Sequence, residues 1–591
     1  MPTLKQMLWP VACFIVLLAI IAHPVLNVLY ARWESDLGPK YGWNSKLMTR
    51  FADLTPSTNL TWSSCFHSPF NPSIPPYQCA VFDVPLDYED PKGPRAYVPL
   101  IRFPATNRSS YQGMVLYNPG GPGRSGIDSL RGKEGFLRSG VPNTFDIIAW
   151  EPRGVQYRQV FRPVASGAFI LIFCYSMPMA DCSADSDLYI RAASDLVEDD
   201  GICNEYLKTN KVFGPKCPEN LNAVASHMGT GVVVKDMLAI VDAFSASESA
   251  KGLRDASLLN FWGLSYGSFI GQTFASLFPD RVGRVVLDGI LNPDDYLFDQ
   301  QTTKHTDTDH AFLSFFMFCY RAGHACSYHT GSSAYDIFER FKGAMNRIHD
   351  TRLSWLIKFR IFKSLNSPER GFPKIANDLK LLDDSKLEHD AAARQKLSSE
   401  FEKSNPFNDR MHPSHIGTKC SDTSGTRYNS NVLESSIAFY KNESFIGSEA
   451  AILGGRSCIQ WLANAKGIYA GPFGGKTKNP MLVVSNTLDF KTPLENGYTC
   501  VQKFPGAELL TVHGTGHTSP ELNNSCAFQK IATYFKTGAV PGEDNHCPEE
   551  PGPWNVTIEP FETHPDWLDM KRDMAKIRAK SVEGDQWKKC W

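Results

Sequence analysis

The pentapeptide Gly263-Leu264-Ser265-Tyr266-Gly267 constrains this chain more than any other segment, because its two flanks read as different secondary structures. Before it, LLNFWG (258–263) is an apolar run of strand length. After it, SFIGQTFASLFP (268–279) has helical periodicity and closes on a proline. A serine in such a turn is held in a strained backbone conformation, and small residues on either side let the strand and helix approach. Its hydroxyl then stands exposed at a helix N-terminus. The bare G-x-S-x-G pattern arises often by chance, so the strand and helix around it carry the weight.

The same strand–loop–helix order recurs along the chain. GMVLY (113–117) runs into NPGGPGRSG, and FDIIAW (145–150) into EPRG. VVVKDMLAIVDAF (232–244) reads as a helix, and VGRVVLDG (282–289), PMLVVSN (480–486) and AELLTVHG (507–514) as further strands. The helix SCAFQKIATYFKTG (525–538) follows. Strands alternating with helices imply an α/β class, with a mostly parallel sheet flanked by helices on both faces. This core is expected over 111–295 and 456–550, preceded by a β-rich extension at 31–110. Between the two core parts, 296–455 abandons the alternation for helical stretches such as HAFLSFFMFCYRAG, with a polar, charge-rich piece at 375–430. An insertion of that kind between sheet strands predicts a helical cap. Residues 551–591 read as a charged tail, and 158–175 (RQVFRPVASGAFILIFCY) as a segment foreign to the pattern. The latter is either a buried apolar stretch or translated intron sequence.

A serine hydroxyl needs a base, and the base needs an acid to hold its tautomer. Downstream of Ser265, Asp489 ends the strand-like PMLVVSNTLD and His517 lies in the Gly-flanked loop GTGHTS after the next strand. Both fall just beyond strand C-termini, where functional residues of open parallel sheets collect, and in the chain order Ser, Asp, His. His513 is the nearest rival but lies closer to its strand. Asp489 is favoured over Asp288, which follows the elbow's next strand too early for the usual acid, although some hydrolases use that position. Acyl transfer also needs backbone N–H donors for the developing oxyanion. One is expected from Tyr266. The other is expected from Gly121 in Asn118-Pro119-Gly120-Gly121-Pro122-Gly123, a loop that lacks the Lys-Ser/Thr of a phosphate-binding loop. No cofactor is implied. Cysteine and histidine spacing supports no metal site.

The formal net charge of −2 over 591 residues points to no nucleic-acid partner. The uncharged run from Met7 to Ala22, extended to Tyr30, makes residues 1–30 either a signal peptide or a signal anchor, so a membrane contact is expected if it stays uncleaved. Sequons at Asn59, Asn107, Asn442, Asn523 and Asn555 are glycan candidates. Fifteen cysteines include the close pairs Cys65 with Cys79, Cys203 with Cys217, Cys319 with Cys326, and Cys526 with Cys547. In an oxidising compartment these read as disulfides, placing the chain in the secretory pathway as a secreted or single-pass membrane protein.

Taken in order, NPGGPG, EPRGV, GLSYGS, FPDRVGRVVLDG and NPMLVVSNTLDFKTP…GTGHTSPELNNSCAFQKIATYFKTGAVP resemble the tripeptidyl aminopeptidase-like α/β-hydrolases, relatives of prolyl aminopeptidases. The likeness is to fungal-type secreted or membrane-anchored members. It covers roughly 60–160, 175–320 and 455–550 and includes that family's C-terminal domain. The resemblance implies a serine exopeptidase cutting short peptides from free N-termini, with Ser265, Asp489 and His517 as triad. Arg124 stands where the family continues with Gly, and Glu151 where it has Asp. Gln156-Tyr157 with the foreign segment interrupts a compact RGxGxS loop. The alternatives are an esterase or other small-molecule acyl hydrolase, and an inactive binding protein on the same scaffold, because the fold serves many functions.

Overall fold

The computed structural model describes residues 51, 54–66, 77–155, 226–298, 307–348, 351–383, 386–403, 413–423, 439–440, 442–448 and 465–583. The apolar run at 7–30, the segment 158–175 and the pair Cys203 with Cys217 lie outside them.

Ten strands form one sheet in the order β1-β2-β3-β5-β4-β6-β7-β8-β9-β10. They are β1 (Ser63–Cys65), β2 (Tyr77–Pro85), β3 (Arg95–Phe103), β4 (Gly113–Asn118), β5 (Phe145–Trp150), β6 (Leu259–Leu264), β7 (Val282–Asp288), β8 (Leu482–Leu488), β9 (Glu508–Thr515) and β10 (His546–Cys547). From β5 through β10 every pairing is parallel, whereas β1, β2 and β3 join at one edge as antiparallel strands. Every residue of β4 and β5 is buried, which explains their unbroken apolar sequences: helices cover both faces.

Those helices are α1 (Gly126–Gly140), α2 (Thr230–Ser245) and α3 (Tyr266–Leu277). The short α4 (Pro293–Phe298) follows β7. The inserted segment holds α5 (Thr308–Ala322), α6 (Ala334–Asn346), α7 (Thr351–Ser364), α8 (Pro368–Lys380), α9 (Ala391–Lys403) and α10 (Pro413–Asp422). The chain then returns to the sheet with α11 (Leu494–Lys503) and α12 (Ser525–Thr537), and ends in α13 (Pro565–Glu583). One apolar layer joins the sheet to α2 and α3 through Met237, Ile240, Phe269 and Phe274. The opposite layer joins it to α1 and α12 through Leu130, Leu137, Ile531 and Phe535.

The cap has its own aromatic core, in which Phe312, Phe316, Phe338 and Phe341 meet edge-on or tilted with centroids 5.0–6.3 Å apart. The charged C-terminal stretch belongs to this core. Its Trp567, Met570 and Met574 are buried against the cap. Asp566 accepts the Ala334 N–H at the start of α6 (2.9 Å), and Asp573 accepts the Tyr335 hydroxyl (2.6 Å) and Lys342 Nζ (2.9 Å). Burying three such apolar side chains contributes roughly 5 kcal/mol by area alone.

Three disulfides are formed among the described residues: Cys65–Cys79, Cys319–Cys326 and Cys526–Cys547. They fit an extracellular or secretory location. No helix among the described residues is long and apolar enough to cross a membrane. Asn59, Asn442, Asn523 and Asn555 are exposed and Asn107 is half-buried.

Candidate active site

Sheet register brings the carboxyl ends of β4, β6, β8 and β9 to one edge, with Asn118 beside Gly263 and Leu264 beside Asp288. Ser265 sits between β6 and α3 at φ 56°, ψ −120°, outside the regions that L-residues ordinarily occupy. Such a conformation costs on the order of 1–3 kcal/mol and persists only where the surroundings enforce it. Here Ser265 N–H donates to Asp288 O (2.8 Å), and both Ser268 N–H (2.7 Å) and Ser268 Oγ (2.6 Å) donate to Ser265 O. Glycine is required on both sides. A Cβ on Gly263 would lie 2.3 Å from Gly267 O, and one on Gly267 would lie 2.8 Å from Asn118 O.

Ser265 Oγ lies 2.9 Å from His517 Nε2, and His517 Nδ1 lies 2.9 and 3.0 Å from the two oxygens of Asp489. The three residues expected to act together are in hydrogen-bond contact across 252 residues of sequence. Asp489 is fully buried, yet the N–H groups of Lys491, Thr492 and Thr518, each at 3.0 Å, donate to it. Burial would raise its pKa; the His517 imidazole and these donors hold it below the ordinary carboxylate range. Asp489 therefore stays ionised and faces the His517 Nδ1–H, leaving Nε2 free to accept the Ser265 proton.

Sequence reasoning missed three supporting groups. Thr492 Oγ1 donates to Asp489 Oδ2 (2.8 Å) and lies 3.2 Å from His517 Nδ1. Asn366, in the turn between α7 and α8, accepts the His517 N–H (3.2 Å) and Lys491 Nζ (2.9 Å). Lys491 itself is pushed down to about 8 by burial and by nearby Arg124. Only Thr492 left a sequence signal, as a hydroxyl three residues beyond a strand-ending Asp.

The rivals are engaged elsewhere. His513 Nδ1 pairs with Glu559 (2.6 Å). Asp288 accepts Ser519 N–H (2.9 Å), Ser519 Oγ (2.5 Å) and Trp262 Nε1 (3.3 Å), which ties down the loop after His517, and burial raises it to about 6.

The glycine loop lies against the elbow. A Cβ on Gly120 would meet Leu264 O at 2.2 Å and both Ser265 Cβ and Tyr266 N at 3.0 Å. Gly120 N–H is committed to Asn118 Oδ1 (2.8 Å), which leaves Gly121 N–H as the next donor of the loop. Glu151 anchors the loop's far end by accepting Ser125 Oγ (2.5 Å) and Ile127 N–H (3.2 Å) at the start of α1, and burial pushes it up to about 8. Among the described residues, no group of His, Cys, Asp and Glu side chains could hold a metal ion.

A parallel sheet, a strained serine at a strand–helix elbow and a Ser–His–Asp contact chain define a serine hydrolase of the α/β-hydrolase fold. Comparison with known proteins narrows this. Residues 444–547 match the family model described as TAP-like protein. Tripeptidyl aminopeptidase of Streptomyces coelicolor is 24% identical over 485 residues, covering 80% of this chain and 83% of that protein. Serine protease Hip1 of Mycobacterium tuberculosis is 32% identical over 236 residues, 39% of each chain. Carboxylesterase B of the same organism is 24% identical over 514 residues, covering 82% of this chain and 89% of that protein. The chain is thus similar to the tripeptidyl aminopeptidases over most of its length, and its 444–547 region is TAP-like.

Proposed function

We propose that the chain is a serine exopeptidase that releases short peptides or residues from free N-termini through an acyl-enzyme. The observation that carries this is the 2.9 Å contact between Ser265 Oγ and His517 Nε2, with His517 Nδ1 on an ionised Asp489. Ser265 Oγ attacks the scissile carbonyl while His517 Nε2 takes its proton, and Asp489 stabilises the imidazolium. The N–H groups of Gly121 and Tyr266 receive the oxyanion. His517 then protonates the leaving amine. A water, deprotonated by the same nitrogen, hydrolyses the ester on Ser265.

The choice of a peptide over another acyl substrate is supported by the tripeptidyl aminopeptidase and Hip1 relatives. The carboxylesterase B relative favours a second reading, hydrolysis of small esters on the same residues. A panel of aminoacyl and tripeptidyl amides set against simple esters separates the two. Turnover of tripeptidyl amides, lost in Ser265→Ala, is expected; activity confined to esters refutes the peptidase reading. Failure of a fluorophosphonate probe to label Ser265 would instead favour an inactive binding protein. The exposed sequons Asn59, Asn442, Asn523 and Asn555, with Asn107, are assigned as glycan acceptors, consistent with a disulfide-bearing chain in the secretory pathway.

A further inference from the structure

Helix α10 of the cap touches the glycine loop directly and reaches Tyr266, the other expected oxyanion donor, through Thr230. At its start, Ser414 Oγ donates to Gly123 O (3.3 Å) and His415 Nδ1 lies 3.1 Å from Pro122 O. A Cβ on Gly123 would fall 2.5 Å from His415 N, so helix and glycine loop are in backbone contact. At its end, Asp422 is buried against the core. Its Oδ1 accepts Thr230 N–H (2.6 Å), and its Oδ2 accepts the hydroxyls of Thr230 (2.7 Å) and Tyr296 (3.0 Å). Thr230 Oγ1 also lies 2.5 Å from the hydroxyl of Tyr266, the residue after the nucleophile. With the Thr230 proton given to Asp422, the Tyr266 hydroxyl donates to Thr230. The result is a chain of hydrogen bonds from the elbow to the cap. The ten residues of α10, about 15 Å long, bridge the two halves of the oxyanion site.

We propose that α10 positions the oxyanion hole, with Asp422 as its positioning residue, so that the donor pair Gly121 and Tyr266 is aligned only when this helix is seated. The inference rests on the acyl-transfer reading given above. Asp422 touches no reacting atom; it acts through Thr230 and Tyr266. The titratable groups facing it are Tyr266 from α3 and Tyr296 from α4, with Lys419 buried one turn earlier on its own helix. No ion pair to Asp422 is formed among the described residues, and burial raises its carboxyl to about 7. An unseated helix would return Asp422 to the ordinary carboxylate range. The seated form therefore holds an extra proton between that range and about pH 7, carried on Oδ2 and donated to the Tyr296 hydroxyl, so that this one contact runs in reverse in the protonated form. Seating is strongest in acid, weakens as pH rises toward neutrality, and levels off above it.

The test compares Asp422→Ala, Asp422→Asn and Thr230→Val with the unmodified chain and Ser265→Ala on a tripeptidyl amide. A misaligned donor is expected to lower kcat about tenfold or more in Asp422→Ala and Thr230→Val, with KM changed less than about threefold. Asp422→Asn keeps an acceptor for Thr230 N–H and is expected to recover most of kcat. It is also expected to abolish the decline in hydrogen-exchange protection of α10 that the proposal predicts for the unmodified chain between pH 5 and 7. Full kcat in Thr230→Val, which preserves side-chain shape and tests the link even if the alanine variant unfolds, overturns the proposal. So does an α10 protection profile in Asp422→Asn that still falls with pH. An active Ser265→Ala would overturn the acyl-transfer reading itself. An inactive Ser265→Ala beside a fully active Thr230→Val overturns only the role of α10.

Discussion

Replacing Gly120 with alanine isolates the contact between the glycine loop and the elbow. Gly120 has φ +82°, a conformation costing an L-residue roughly 1 kcal/mol. The added Cβ would stand 2.2 Å from Leu264 O and 3.0 Å from Ser265 Cβ and Tyr266 N, with backbone and not a flexible side chain in the way. Relief needs the loop to retreat from the elbow by close to 1 Å. Gly121 N–H, the next residue, retreats with it. A displacement of about 1 Å at a reacting centre costs on the order of 100-fold in rate, or about 2.7 kcal/mol of transition-state stabilisation. The assay is steady-state hydrolysis of a tripeptidyl amide beside a thermal melt, with Gly135→Ala as the control. A Cβ on Gly135 meets nothing within 4 Å inside α1, so that change is expected to leave kcat unaltered and to stabilise by roughly 0.5–1 kcal/mol. Gly120→Ala with undiminished kcat/KM would refute the view that this loop is packed against the elbow to serve the reaction.

Further outcomes follow from the same geometry. Asp489→Asn should lower kcat by about 10⁴, because an amide cannot fix the productive tautomer of His517, whereas His513→Ala should change kcat less than about twofold; kcat measured on both checks the assignment. Glu151 has a folded-state pKa raised to about 8 by burial, so the folded protein holds a proton that the unfolded chain loses between the ordinary glutamate range and pH 8. Its contribution to stability therefore falls as pH rises through that window. Glu151→Gln, which keeps an acceptor for Ser125 and Ile127, should make the melting temperature fall less between pH 5 and 8 than in the unmodified chain. Removing Cys526–Cys547, which closes 21 residues between α12 and β10, should cost about 3 kcal/mol in denaturant unfolding.

Much of the site was legible because its chemistry demands local patterns. FDIIAW (145–150) is β5 residue for residue, and the elbow strand and helix lie within two residues of their expected ends. Ser265, Asp489 and His517 each follow a buried strand, and that placement, more than residue type, marked them. What stayed hidden depends on contacts between distant segments. Asn366 reaches His517 across the cap, and Asp422 reaches Thr230 across 192 residues, so no local spacing announces either. The C-terminal helix was readable in principle: Trp567, Met570 and Met574 recur at three- and four-residue spacing, but the surrounding charges masked the stripe. Glu151 in place of Asp is accommodated, since its longer side chain still reaches the start of α1.

The most direct test of the acyl-transfer site is mass spectrometry of the chain trapped during turnover or with a fluorophosphonate, combined with rates for Ser265→Ala. A single adduct on the peptide containing Ser265, absent from Ser265→Ala together with all hydrolysis, is expected. Hydrolysis persisting in Ser265→Ala, or an adduct on any other residue, would contradict it.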